Sequence, residues 1–192
     1  MSNFLTFDEG AHEYKFKGVI VPSVTQILQP LNDFSGIPPA ILENKRQIGV
    51  AVHKACELYD DDDLEEERLT PTVADYFAAW KRFKTENEVV VEMSEQRIFH
   101  ALHRYAGTLD RVLTLNGVRC VLDLKTSATL NPAVGLQLAA YDMALGVEKL
   151  KRFALQLKPN GLYKLQEYKD PKDYQVFTAL LTLKNWRNQD EK

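Results

Sequence analysis

Apolar residues recur at spacings of three and four positions in several stretches of the chain, a pattern typical of helices that bury one face. It predicts long helices over residues 40–59, 71–88, 132–146 and 171–188. A short helix is also predicted directly after Pro22. Ser23 is suited to be its N-cap and Gln26 to be the capping-box partner three residues later.

Between these helices lie runs that are rich in β-branched residues or that alternate apolar and polar positions. They predict strands over residues 89–99, 105–115, 118–126, 151–157 and 162–168, and a short hairpin over residues 12–21 that turns at Lys17 and Gly18. Helices and strands in this order indicate an α/β or α+β arrangement. The fold class we predict is α/β, with residues 1–192 forming a single domain in which helices flank a central mixed β-sheet.

The turn between two of these strands is the dipeptide Asn116-Gly117. Asn-Gly is the strongest short hairpin signal, because a type I′ turn needs positive φ at both central residues. A two-residue turn here would place Asp110 directly opposite Asp123, as a closely spaced pair. Lys125, two residues beyond Asp123, would point to the same face of the sheet.

Two facing carboxylates and one amine form a group that is suited to hydrolysis of phosphodiesters. The carboxylates of Asp110 and Asp123 repel each other, and a divalent cation with oxygen ligands removes that repulsion. Lys125 could orient a water molecule or neutralise charge on a phosphate. The alternative is that Asp110, Asp123 and Lys125 are merely exposed charged residues on one face of the sheet. Apolar residues flank both carboxylates, however, which favours a buried site where unpaired charge would be costly.

Asp110, followed by Asp123-Leu124-Lys125, resembles the signature of the PD-(D/E)XK nuclease superfamily, with Asp rather than Glu at the second acidic position. The extended pattern adds Gly107 before Asp110, Thr126-Ser127 after Lys125, and Gln137-x-x-x-Tyr141. It is similar to the RecB-type branch, which includes phage exonucleases and the mitochondrial genome maintenance exonuclease. The resemblance covers roughly residues 20–145, with the core motifs in residues 45–145.

This resemblance implies a restriction-endonuclease-like core and a DNA exonuclease that depends on Mg²⁺ or Mn²⁺ and acts in DNA repair, recombination or phage replication. It implies that His53, one turn after Gly49, ligates the metal together with Asp110 and Asp123. A recombination protein is a candidate partner. The alternatives are an endonuclease of the same superfamily, and an accessory protein that binds nucleic acid without cutting it.

Three further residues are candidates for the catalytic site. Gln137 and Tyr141 lie four positions apart on one predicted helix face. The resemblance implies that they contact the DNA backbone or orient Lys125. The alternative is that they are ordinary polar residues at the edge of a helix. Another acid is expected on the strand before Asp110. Glu92 and Glu95 are the candidates. Pairing around a loop near residues 101–104 would place Glu95 approximately opposite Asp110, with Glu92 on the other face of the strand, so Glu95 is favoured.

Contacts with DNA are expected from side chains that surround this centre: Ser23, Thr25, Arg104, Tyr105, Arg111, Thr126, Gln137 and Tyr141. Hydroxyls at a helix N-terminus can hold a phosphate, but the simplest role of Ser23 is to cap the helix. The arginines could contact phosphates. Tyr105 could stack on a base, and a role in the core is the alternative.

The formal net charge of −3, taken alone, argues weakly against nucleic acid as a partner, but the distribution of charge along the chain matters more. Residues 1–96 hold 9 Lys and Arg against 18 Asp and Glu, whereas residues 97–192 hold 15 against 9. Much of the acidity lies in residues 60–67, a run typical of a solvated or mobile loop. The second half of the chain could therefore present a basic face.

Other classes of protein are disfavoured by composition. The sequence contains no apolar run near the roughly 20 residues of a membrane span, and no secretory signal, which fits the cytoplasm of a bacterium or of a phage-infected host cell. Cys56 and Cys120, the two cysteines, are too few for an iron–sulfur cluster. Both lie in apolar patterns and are predicted to be buried thiols.

Overall fold

The computed structural model describes residues 4–146 and 149–187. The strands are β1 (Leu5–Asp8), β2 (Glu13–Phe16), β3 (Val19–Val21), β4 (Val89–His100), β5 (Tyr105–Leu115), β6 (Val118–Lys125), β7 (Lys151–Leu157) and β8 (Tyr163–Glu167). The α-helices are α1 (Val24–Leu28), α2 (Pro39–Asp60), α3 (Pro71–Glu86), α4 (Ala133–Leu145) and α5 (Lys172–Arg187). Residue 188, which the sequence places at the end of the last helix, lies outside the described residues.

The main sheet has five strands in the order β4-β5-β6-β7-β8. All neighbouring strands are antiparallel except β6 and β7, which are parallel. The predicted α/β class with a mixed sheet is therefore confirmed. A parallel pair needs a crossover connection, and α4 supplies it between β6 and β7.

Apolar residues on both faces of the central strands explain why helices pack on both sides of the sheet. On one face, Val112 and Val121 belong to a core cluster with Leu138 of α4 and Phe177 of α5. On the other face, the core cluster joins Leu122 to residues of α2 and α3. Cys56 and Cys120 are buried in this second cluster, as predicted.

The Asn116-Gly117 turn has the predicted geometry. Both residues adopt positive φ, at 47° and 78°. The β5–β6 ladder begins next to the turn and ends at the pair Arg111–Leu122. The next positions outward are Asp110 and Asp123, so the register places the two carboxylates opposite each other, as the sequence predicted.

A smaller sheet, ordered β1-β2-β3, precedes α1. The β2–β3 hairpin turns at Lys17 and Gly18, both with positive φ, which confirms the hairpin predicted over residues 12–21. Strand β1 was not predicted. Ser23 and Gln26 form the predicted capping box of α1, and Ser23 also bridges to Ala106 of β5.

The acidic run differs from its prediction at its first residue. Asp60 is the last residue of α2, and its side chain is buried against Arg111 and Lys84. The exposed part of the run starts at Asp61. Among the helices in residues 4–146 and 149–187, none is long and apolar enough to cross a membrane.

Candidate metal centre

Three side chains from three different elements converge at one end of the main sheet. His53 of α2, Glu95 of β4 and Asp110 of β5 each offer a ligand atom, and these atoms all lie within 4.8 Å of one another. His53 Nδ1 is 3.6 Å from Glu95 Oε1 and 3.6 Å from Asp110 Oδ1. Two carboxylates and an imidazole are donors that a divalent metal ion uses in proteins. We call His53, Glu95 and Asp110 the donor group.

The His53 ring is oriented by a backbone carbonyl. Its Nε2 lies 3.1 Å from the oxygen of Leu124, which can only accept, so Nε2 carries the proton. Nδ1 therefore faces the two carboxylates: it carries a proton toward them when the ring is charged, and when the ring is neutral its lone pair is free to ligate a metal ion. Burial lowers the pKa of His53, but Asp110 and Glu95 outweigh it and raise that pKa to about 8.

Glu95 reaches the donor group from an unusual backbone conformation. The pairs Ser94–Arg111 and Gln96–Leu109 flank it, so its register position is opposite Asp110, as predicted. Its φ is 45°, in the left-handed region that non-glycine residues rarely adopt. Such strain persists only where the surroundings impose it, and it is common at functional sites.

Asp110 uses its two oxygens differently. Oδ2 accepts a hydrogen bond from the backbone N–H of Leu124 at 2.6 Å, while Oδ1 faces His53. The β5–β6 ladder ends at Arg111 and Leu122, and beyond it the buried carboxylate, rather than a backbone carbonyl of β5, accepts the N–H of Leu124.

The buried Asp123 and the half-buried Lys125 form an ion pair next to the donor group. Lys125 Nζ lies 2.6 Å from Asp123 Oδ2. Burial, together with the charge of Asp110, raises the pKa of Asp123 to about 6, although Lys125 acts to lower it. Burial lowers the pKa of Lys125, but Asp123 and Asp110 outweigh it, so its pKa is raised and the amine stays protonated.

The sequence predicted Asp123 to ligate a metal together with His53 and Asp110. In the structure its carboxylate is engaged by Lys125, and Glu95 takes the third place in the donor group. Oδ1 of Asp123 is buried and has no hydrogen-bond partner among the described residues. That oxygen leaves Asp123 able to join a metal, so its role as a ligand stays a prediction.

Gln137 and Tyr141 continue the chain of contacts from Lys125. Lys125 Nζ donates to Gln137 Oε1 at 3.2 Å, and Gln137 Nε2 donates to the Tyr141 hydroxyl at 3.0 Å. Of the two predicted roles, these contacts fit the orientation of Lys125. Tyr141 is almost fully buried, which disfavours the alternative of a contact to the DNA backbone.

Three other side chains that were predicted to contact DNA are buried, which disfavours that contact. Tyr105 is fully buried in the core and donates its hydroxyl to the carbonyl of Ala140. Arg111 is also fully buried, with Asp60 as its ion-pair partner. Ser23 is buried and its hydroxyl accepts from the Gln26 N–H, so it acts as a cap.

The other predicted DNA-contact residues remain accessible. Thr25 and Arg104 are exposed, and Thr126 and Gln137 are half-buried. Thr126 lies against α2 at Gly49, where a Cβ would be 3.4 Å from the threonine hydroxyl. The glycine thus brings the segment after β6 close to the helix that carries His53.

No family model and no curated protein matches this sequence. Among solved structures, the chain is similar to one titled "Crystal structure of SSO0001", with 18% sequence identity and a TM-score of 0.34. The alignment covers 55% of this chain and 53% of that chain, so it spans about half of either protein.

Proposed function

We propose that the protein is a Mg²⁺- or Mn²⁺-dependent DNA exonuclease that acts in repair, recombination or phage replication. The observation that carries the proposal is Lys125, a half-buried and protonated amine held beside Asp123 and next to a donor group of one imidazole and two carboxylates. The sequence motifs that resemble RecB-type nucleases supply the choice of DNA as substrate.

The residues present fit a divalent cation. The donor group offers three ligand atoms, and the buried Oδ1 of Asp123 lacks a partner in the described part of the chain. A cation held by these residues would supply a Lewis acid for a phosphoryl oxygen and a lowered pKa for an attacking water. It would also remove the repulsion between Asp110 and Asp123, which a metal-free site retains.

Lys125 carries the part of the chemistry that the chain supplies itself. Its ammonium is fixed by Asp123 on one side and by Gln137 on the other, so it needs no rearrangement when charge develops on the phosphate. A fixed cation in a site with little water stabilises that charge more strongly than a mobile surface lysine would. His53 acts as a positioned ligand, because its Nε2 is held by the carbonyl of Leu124 and its Nδ1 faces the other two donors.

The proposal is tested with end-labelled single-stranded and double-stranded DNA, incubated with Mn²⁺, with Mg²⁺, or with a chelator. An exonuclease degrades the linear substrates progressively from an end and leaves a covalently closed circle intact. Cleavage of the circle would instead identify an endonuclease. The same time course on RNA separates the two nucleic acids.

Variants connect the activity to the site. We expect Asp110→Asn and Lys125→Met each to lower the rate by roughly 10²–10³-fold, the usual cost of one preorganised charge. Asp142→Asn is the matched control, since Asp142 is also a buried carboxylate that accepts a backbone N–H, from Leu150, but it lies outside the site. Full activity of Asp110→Asn, or binding of DNA without cleavage by the wild type, would reject the proposal.

A further inference from the structure

Arg111 is a fully buried cation directly behind the donor group. Its Nη1 donates to the carbonyl of its neighbour Asp110 at 2.7 Å and lies 3.4 Å from Glu95 Oε1. Its Nε donates to Asp60 Oδ2 at 2.8 Å. One guanidinium therefore touches the strand that carries Asp110, the side chain of Glu95, and the end of α2.

Asp60 is itself fixed in place. Its other oxygen accepts hydrogen bonds from Trp80 Nε1 at 3.1 Å and from Lys84 Nζ at 2.8 Å, both on α3. Asp60 and His53 lie seven residues apart on α2, which is about two helical turns and hence the same side of the helix. The helix that presents His53 to the donor group thus also anchors Arg111.

A buried charge of this kind is not explained by stability alone. Removing a guanidinium from water costs several kcal/mol, and apolar replacements of buried ion pairs are often neutral or stabilising. Arg111 Nη2 is buried without a hydrogen-bond partner in residues 4–146 and 149–187. An incompletely satisfied buried cation beside a strained Glu95 points to a use at the site.

We infer that Arg111, anchored by Asp60, is a positioning residue that holds the Glu95 carboxylate toward His53 and Asp110, where it completes the cation site. This inference rests on the proposed function, because it assigns Glu95 to the cation. This role requires a guanidinium, because one nitrogen donates to Asp60 while another faces Glu95. A lysine at this position has a single nitrogen and cannot hold both groups at once.

The test is the affinity for Mn²⁺ alone, measured by calorimetry on the full chain. We expect Arg111→Met to bind Mn²⁺ roughly 10- to 100-fold more weakly than the wild type, the usual effect of losing a partner that orients a ligand. Arg111→Lys should be intermediate. In the Glu95→Gln background, Arg111→Met should cause no further loss, since the carboxylate that it positions is already gone.

Arg152→Met provides the matched control. Arg152 is also buried and pairs with Asp173, but it contacts no member of the donor group, so its replacement should lower thermal stability and leave Mn²⁺ affinity unchanged. If Arg111→Met does not fold, Asp60→Asn tests the same relay by releasing the guanidinium while keeping its charge.

Each outcome decides one question. Unchanged Mn²⁺ affinity in a folded Arg111→Met or Asp60→Asn variant would overturn the inference, as would additive losses in the Glu95→Gln double variant. A wild-type protein that binds no Mn²⁺ would overturn it too. A wild type that binds Mn²⁺ in the expected pattern but cuts no nucleic acid would leave the inference standing and reject the nuclease proposal.

Discussion

The carboxylate of Asp110 accepts the backbone N–H of Leu124 at 2.6 Å, at the point where the β5–β6 ladder has ended. The same carboxylate faces His53 with its other oxygen. Asp110 thus has two separable roles. One oxygen accepts a backbone hydrogen bond, which a neutral side chain could also do, and the carboxylate supplies negative charge to the donor group. Substitutions that remove one role and keep the other can distinguish them.

Asp110→Ala removes both roles, whereas Asp110→Asn keeps an oxygen that can accept from Leu124. We expect the alanine variant to lose about 1–3 kcal/mol of unfolding free energy, because the buried N–H of Leu124 is left unpaired. Without metal the asparagine variant should lose less stability than the alanine variant, and it should gain little from added Mn²⁺. Thermal unfolding with and without Mn²⁺ measures both effects, and an asparagine variant stabilised by Mn²⁺ as strongly as the wild type would contradict the assignment.

His53 makes the metal-free protein less stable as the pH rises. Its pKa in the fold is raised to about 8, above the ordinary value of 6.5. The folded state therefore binds the proton more tightly, and this stabilisation is complete below about pH 6.5 and lost as the pH passes through about 8. A shift of this size corresponds to about 2 kcal/mol at most.

Urea unfolding in a chelator, at about pH 6 and about pH 9, measures this effect as the difference between wild type and His53→Gln. That difference should be larger at the lower pH. Asp123, whose pKa is raised to about 6, also titrates near the lower pH, but both proteins contain it, so its contribution largely cancels in the difference between them. An equal difference at both pH values would show that the carboxylates do not hold a proton on His53.

Much of the candidate site could be predicted from the sequence, because one turn set the pairing register of β5 and β6. Asn116-Gly117 placed Asp110 opposite Asp123, and period two placed Lys125 beside them. Those are local rules, and they do not depend on how helices pack. The position of Glu95 also followed from strand pairing, although its positive φ did not, since no residue pattern predicts a strained glutamate.

The structure differs from the expectations drawn from the sequence where a polar side chain was assumed to face water. Arg111 and Tyr105 lie in a strand whose apolar neighbours occupy both faces, and that context outweighs the polarity of one side chain. Asp60 belongs by sequence to an acidic run, yet it is buried because α2 extends to include it and Arg111 needs a partner. Such long-range pairs are set by tertiary packing, which a single sequence does not reveal.

Gly107 is predicted to be intolerant of even a methyl group. A Cβ there would lie 3.0 Å from Tyr141 Cε1 and 3.2 Å from Val24 Cγ2, so either the strand or Tyr141 must move. We expect Gly107→Ala to cost about 1–3 kcal/mol of stability and to lower nuclease activity, because Tyr141 supports Gln137. Gly36→Ala is the control, since its Cβ would meet open space. Wild-type thermal stability and cleavage rate in Gly107→Ala would refute the close approach.

Tyr141→Phe tests whether the chain of contacts behind Lys125 matters for the reaction. Burial raises the pKa of Tyr141 well above its ordinary value, and Asp123 and Asp110 add to the effect, so the hydroxyl is neutral and cannot act as a base. Its predicted role is to accept from Gln137, which in turn holds Lys125. Losing that acceptor should let the amide and the ammonium move without changing the donor group.

We therefore expect Tyr141→Phe to lower kcat by roughly tenfold, about 1.4 kcal/mol of transition-state stabilisation, with unchanged affinity for Mn²⁺. Its pH–rate profile should keep the wild-type shape, because no titrating group is removed. Single-turnover cleavage of end-labelled DNA and Mn²⁺ calorimetry measure the two quantities. Lost Mn²⁺ affinity would assign Tyr141 to the structure of the metal centre instead, and an altered alkaline limb would mean that the hydroxyl takes part in proton transfer.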